Sequence, residues 1–155
     1  MESFTHQNFS KKNLGGFTLI EILIVISLIS ILIFFLVSIG LNFYKSQQLE
    51  SQAQTILQIL RRAQLKAMAI EFDSSFGVYL TNSNYTLYKG SSYATRDLQY
   101  DEVFELPEII NVKGLSEVVF SKSEGKPNIT GNIILTADSQ QKIININEIG
   151  RINLQ

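Results

Sequence analysis

The sequence predicts an α+β protein in which one long N-terminal helix packs on an antiparallel β-sheet. Three observations support this fold class. An apolar run follows residue 17, apolar residues then recur at steps of three and four as far as Ile70, and short strands separated by turn residues follow Asp73. A chain of 155 residues suits one compact domain with appendages.

The apolar run is long enough to cross a membrane. Between Ile22 and Leu41 only three serines and one glycine are neither aliphatic nor aromatic, and about 20 apolar residues span a hydrocarbon core as a helix. Lys11 and Lys12 precede the run, whereas only Lys45 follows closely, which places the N-terminus in the cytoplasm. We therefore predict a single-pass protein of the cytoplasmic (inner) membrane with its C-terminal domain outside, in the periplasm or at the cell surface.

A secretory signal peptide is the alternative interpretation of a basic segment followed by an apolar one. The run exceeds the 7–15 residues that are usual for the apolar part of such a signal. Its far end, from Ser38 to Tyr44, contains nothing like Ala-x-Ala. These features disfavour ordinary signal-peptide cleavage.

An amphipathic helix follows the apolar run without an intervening linker. No Pro or Gly occurs between Asn42 and Phe76, so one continuous helix is predicted from Phe17 to Ile70. Its second half carries an apolar stripe that should face the sheet. The stripe consists of Leu49, Ala53, Ile56, Leu57, Leu60, Ala63, Ala67 and Ile70.

The rest of the chain is predicted to form short strands, and the close spacing of these strands along the chain favours antiparallel pairing. Residues Gly90–Leu106, which precede Pro107, are predicted to form a loop. The predicted strands are Phe76–Thr81, Tyr85–Lys89, Ile109–Val112, Glu117–Ser121, Asn132–Thr136, Lys142–Asn147 and Arg151–Leu154.

The composition excludes most enzyme chemistry. The chain has no cysteine, and its one histidine, His6, lies in the polar N-terminal stretch. A Ser-His-Asp triad, a Cys-His pair or a histidine metal site is therefore not expected after that stretch. We predict no enzymatic activity and no cofactor. The acidic residues of the predicted loop could offer oxygen ligands to calcium, but their spacing fits no EF-hand pattern; they are Asp97, Asp101, Glu102 and Glu105.

The junction Gly15-Gly16-Phe17-Thr18-Leu19-Ile20-Glu21 resembles the processing site of type IV prepilins and type II secretion pseudopilins. The resemblance implies that a dedicated prepilin peptidase cuts between Gly16 and Phe17 and methylates the new N-terminal amine. It divides the chain into a leader, residues 1–16; a transmembrane and assembly helix, residues 17–44; and an extracytoplasmic pilin-like globular domain, residues 45–155.

Glu21 is a carboxylate inside an apolar segment. Such a group costs about 2.5–3.5 kcal/mol at mid-membrane, and less near an end, so it needs a partner. The resemblance implies that the partner is the N-terminal amine of a neighbouring subunit, which makes Glu21 an assembly residue. A pair within one chain is the alternative, because Phe17 and Glu21 are four residues apart. Both pairs can form at different stages.

The resemblance extends to the GspH/FimT group of minor pseudopilins, through Leu60–Gln64, Phe76–Val78 and Gly150–Ile152. It implies a structural minor subunit of a type II secretion or type IV pilus-like filament. The implied partners are the prepilin peptidase, other pilins or pseudopilins, an inner-membrane assembly platform and membrane lipid.

A DNA-binding minor pilin of a competence pilus is the alternative function. Some members of the group bind DNA through a C-terminal Gly-Arg-x-Arg pattern, but this chain reads Gly150-Arg151-Ile152-Asn153 and lacks the second arginine. The formal net charge of -1 also provides no overall basic field. Arg151 is thus the one candidate DNA contact in this pattern, and nucleic acid is not the expected partner.

Overall fold

The structure, a computed structural model, describes residues 16–155, without the side chains of residues 36–42. The predicted leader lies outside the described residues except for Gly16. The described chain folds into two units, one up to Gly40 and one from Leu41 to Gln155. The elements in order are α1 (Leu19–Met68), a 3₁₀ turn (Glu71–Asp73), β1 (Phe76–Leu80), β2 (Asn84–Lys89), a 3₁₀ turn (Tyr93–Thr95), β3 (Asp97–Glu105), β4 (Asn111–Gly114), β5 (Glu117–Phe120), β6 (Gly131–Ala137), β7 (Gln140–Ile146) and β8 (Ile152–Leu154).

The first unit contains the apolar half of α1, whose described side chains are exposed through Phe35. The hydroxyls of Ser27 and Ser30 donate to carbonyls one turn earlier, at 2.7 and 2.8 Å, which satisfies both groups within the helix. Over the described residues, none of the helices is long and apolar enough to cross a membrane. A transmembrane helix over residues 17–44, which include the seven without described side chains, stays a prediction.

The second half of α1 buries the predicted stripe. Seven of its eight members are at most 6% exposed, and Ile59, which the stripe did not include, is buried beside them. The eighth, Ile70, was predicted wrongly: it has a left-handed backbone (φ 56°), is 46% exposed and lies beyond the end of the helix. The helix ends where the backbone amide of Ser123 donates to the carbonyl of Ala67 at 3.0 Å.

Two four-stranded sheets face this stripe. Their strand orders are β3-β2-β1-β5 and β4-β6-β7-β8, and every neighbouring pair is antiparallel. One core cluster contains helix residues such as Leu60 together with Val78 and Val118 of the first sheet and Ile133 and Ile144 of the second. The predicted class, a long helix on antiparallel strands, is confirmed.

The predicted loop at Gly90–Leu106 was wrong, because it contains the nine-residue edge strand β3. The acidic residues of this segment are accommodated at the edge, where charged side chains also discourage pairing with other chains. Asp101 pairs with Arg96 at 2.7 Å, and Glu102 accepts two 2.8 Å bonds from Arg62 of α1.

The strand predicted at Ile109–Val112 begins two residues later, at Asn111. Ile110 is fully buried, and its backbone amide donates to the carbonyl of Pro107 in a turn at 2.9 Å. The apolar character of Ile110 therefore reflects core packing in a turn rather than a strand, whereas Ile109 is exposed.

Tyrosines on the first sheet pack as ordinary sheet residues. Tyr88 lies opposite Gly77, where a Cβ atom would overlap its ring. The Tyr88 hydroxyl donates to Glu117 at 2.5 Å, and burial, aided by that carboxylate, raises the pKa of Tyr88. Glu117 also accepts the backbone amide of Tyr93 at 2.7 Å, while the rings of Tyr79 and Tyr93 stack at 4.0 Å. These contacts hold the segment after β2 against the sheet.

Candidate processing and assembly site

The predicted scissile bond lies just ahead of α1. Gly16 and Phe17 have no regular secondary structure, and Phe17 is 80% exposed. Among the described residues, apart from the chain neighbours of Gly16, no atom lies within 4 Å of where its Cβ would be. With respect to the described residues, the peptide bond between Gly16 and Phe17 is therefore exposed.

Thr18 forms the N-cap of α1. Its hydroxyl oxygen accepts the backbone amide of Glu21 at 3.3 Å, and its carbonyl accepts that of Ile22 at 3.2 Å. The helix therefore begins at Leu19, two residues later than predicted. The Thr-x-x-Glu spacing is the start signal of a capping box and could have predicted this boundary from the sequence.

Glu21 lies in the first helical turn, where the amide dipoles favour a negative charge. Phe17, Glu21, Ile22, Val25 and Ile26 line one shallow recess of about 220 Å³. The structure thus places Phe17 and Glu21 beside one another, in keeping with their spacing. In the uncut chain the Phe17 nitrogen belongs to a peptide bond, so a charged amine arises there only by cleavage.

Arg151 belongs to the other unit and follows a glycine with a structural role. Gly150 has a φ of 82°, and a side chain there would collide with Gln64. The Gln64 amide donates to the carbonyls of Gly150 and Gly125 at 2.8 and 2.9 Å. Arg151 is exposed, and its backbone amide donates to the Asn147 side chain at 2.7 Å. The glycine thus fixes the path of the tail against the helix.

Carboxylates partner most of the cations in the described chain. Among the described residues, three cations have no carboxylate partner: Arg61, Lys113 and Arg151. The Arg61 guanidinium instead donates to the carbonyl of Ile152 at 3.2 Å, and Ile152 directly follows Arg151 in the chain. The eight pairs are Lys45–Asp138, Arg62–Glu102, Lys66–Glu71, Lys89–Asp97, Arg96–Asp101, Lys122–Asp73, Lys126–Glu124 and Lys142–Glu50.

The acidic residues that were candidate calcium ligands lie on β3 rather than in a loop. Asp97, Asp101 and Glu102 each pair with a Lys or Arg side chain. Among the described residues, no group of three or more His, Cys, Asp or Glu is arranged to hold a metal ion.

Residues 11–37 match the family described as the prokaryotic N-terminal methylation motif. This match and the helix-on-sheet fold support a type IV pilin- or pseudopilin-like protein. The motif family is structural rather than enzymatic, and its motif implies processing by prepilin peptidase and assembly with other pilins. No curated protein and no solved structure was found that matches the chain.

Proposed function

We propose that this chain is a minor pilin or pseudopilin, a structural subunit of a type II secretion or type IV pilus-like filament. Prepilin peptidase cuts it between Gly16 and Phe17 and methylates the new amine. The observation that carries this proposal is the exposed, non-helical Gly16–Phe17 junction, which lies inside the matched motif and directly ahead of a capped apolar helix.

The apolar half of α1 stays on the protein after the cut. Its exposed apolar side chains from Phe17 to Phe35 require an apolar environment. The cytoplasmic membrane supplies it before assembly, with the domain of residues 45–155 outside. Neighbouring subunit helices supply it within the filament. An assembly platform in the same membrane delivers the subunit.

Glu21 sets the register between subunits in this proposal. After cleavage, the Phe17 amine and the Glu21 carboxylate carry opposite charges beside one apolar recess. In an apolar surrounding each charge needs a partner. The pair within one chain serves the unassembled subunit, and the pair between neighbours serves the filament.

Membership of the GspH/FimT group of minor subunits is also proposed. It is supported by the position of Gly150, which the Gln64 side chain of α1 ties to the helix. Two of the three short motifs that carry the resemblance, Leu60–Gln64 and Gly150–Ile152, therefore meet in the fold.

Replacing Gly16 with Val should block cleavage, because a branched side chain beside the scissile carbonyl crowds the bond and stiffens the segment. Cells that contain the peptidase should then accumulate a chain larger than the mature form by the 16-residue leader. Intact mass of the membrane fraction measures this. Asn8→Val, a similar change within the leader, is the control and should be processed. Normal maturation of Gly16→Val would contradict the proposed cleavage position.

A DNA-binding minor pilin remains the second candidate, and one structural feature favours it. The Arg61 guanidinium of α1 donates to the carbonyl of Ile152, the residue after Arg151, and neither arginine has a carboxylate partner among the described residues. Against this function, the eight ion pairs described above neutralise most of the other basic side chains of the described residues.

We expect residues 45–155 to bind duplex DNA only in the nonspecific range, roughly 10⁻⁴–10⁻⁶ M at physiological salt. Affinity depends on cations that neutralise phosphates, and few are unpaired here. Fluorescence titration measures it, with Arg61→Gln and Arg151→Ala as test variants and Lys113→Gln as a control. A submicromolar constant that both arginine variants abolish, and the control retains, would favour the DNA-uptake function.

A further inference from the structure

Thr18 determines where α1 begins. Its hydroxyl oxygen accepts a hydrogen bond from the backbone amide of Glu21. Its carbonyl accepts one from the amide of Ile22, which is the first i to i−4 bond of the helix. The hydrogen-bond ladder therefore begins two residues after Gly16.

Loss of this acceptor frees the helix to grow towards the leader. The Glu21 amide would then bond the carbonyl of Phe17, and the Ile20 amide would bond the carbonyl of Gly16. Both carbonyls flank or form the scissile bond. Helix formers on the C-terminal side favour such growth, since elongation of an existing helix is far easier than nucleation.

We infer that Thr18 is a positioning residue for cleavage of the precursor, because its cap keeps the Gly16–Phe17 bond outside the helix and open to the peptidase. The inference rests on the proposed processing. In that hydrolysis, water adds across the bond: the Gly16 carbon becomes a carboxylate and the Phe17 nitrogen leaves as an amine. A helical hydrogen bond to the Gly16 oxygen would occupy the position that donors of the enzyme need.

Three variants separate capping from recognition of side-chain shape. Thr18→Val keeps the shape and removes the acceptor, Thr18→Ser keeps the acceptor, and Thr18→Asn keeps an acceptor with a different shape. The full precursor in detergent is incubated with purified prepilin peptidase, and the first-order rate of cleavage is measured. The Ser and Asn variants should be cleaved near the wild-type rate. The cleavage rate of the Val variant should fall about 2- to 30-fold, the ratio that corresponds to the free energy contributed by an N-cap.

Amide hydrogen exchange in the uncut chain is the second readout. Exchange of the Ile20 amide should slow in Thr18→Val and stay fast in Thr18→Asn, because only the former lets the helix reach Gly16. Cleavage of Thr18→Val at the wild-type rate would overturn the inference. So would an Asn variant as slow as Val, since the enzyme would then be reading the side chain itself.

The same assay separates this inference from the proposal beneath it. A wild-type chain that the peptidase does not cut overturns both. If the wild type is cut, Gly16→Val is not, and the Thr18 rates fail to follow capping, the processing proposal stands and the role of Thr18 falls.

Discussion

Replacing Glu21 with Val should abolish incorporation into filaments while leaving the protein in the membrane. The change makes the apolar segment more apolar, so insertion should not suffer. It also removes the carboxylate that the Phe17 amine of a neighbour needs, and leaves that amine without a partner in an apolar surrounding. We expect at least a tenfold drop in the amount of subunit in sheared or purified filaments, measured by quantitative immunoblot against the membrane pool.

Two controls show whether the charge pair is responsible. Ser27→Val is an apolar replacement six residues further along the same helix, and it should be incorporated normally. Glu21→Asp keeps a carboxylate in the first helical turn and should therefore retain the helix start. Because its side chain is shorter, this variant tests whether the carboxylate must extend as far as that of Glu to pair with the amine. Incorporation of Glu21→Val at the wild-type level would show that the pairing idea is wrong.

Leu60→Ala should lower the unfolding free energy of residues 45–155 by about 2–5 kcal/mol. Leu60 is fully buried in the cluster that joins α1 to both sheets, and its neighbours cannot close the space without moving strands. Leu65→Ala is a matched control, since it is the same change on the same helix at a side chain that is 64% exposed. It should change the free energy by no more than about 0.5 kcal/mol.

Urea unfolding followed by circular dichroism measures both variants. Equal losses for Leu60→Ala and Leu65→Ala would contradict the assignment of the helix face that packs on the sheets. The truncation at residue 45 tests the second unit alone, so the apolar half of α1 does not affect the comparison.

Periodic patterns made the helix and most strands predictable. The stripe from Leu49 to Ala67 has the helical period and is buried as a unit, and the later residues of β6 and β7 alternate between buried and half-buried positions. The edge strand β3 was missed because its carboxylates pair with cations that only the fold brings near, such as Arg62 of α1. Local propensity contains no information on such long-range pairs.

Features of the candidate site that are local in sequence were predictable: Phe17 and Glu21, four residues apart, line one recess at the start of α1. The cleavage position and the assembly role that the Gly16–Glu21 motif predicts stay predictions. The role of Thr18 was missed although the Thr-x-x-Glu signal was present. The approach of Arg61 to the backbone beside Arg151 could not be predicted, because these residues are 90 positions apart and meet only through packing of β8 on the helix.

The mass and N-terminal sequence of the mature protein test the central claim most directly. Purified from cells that contain the prepilin peptidase, the protein should begin at Phe17 and carry one added methyl group on its amine. In cells without the peptidase, the full precursor should remain. A mature N-terminus near Ser38 or beyond would mean ordinary signal-peptide cleavage, and would contradict the account of a retained, filament-forming helix.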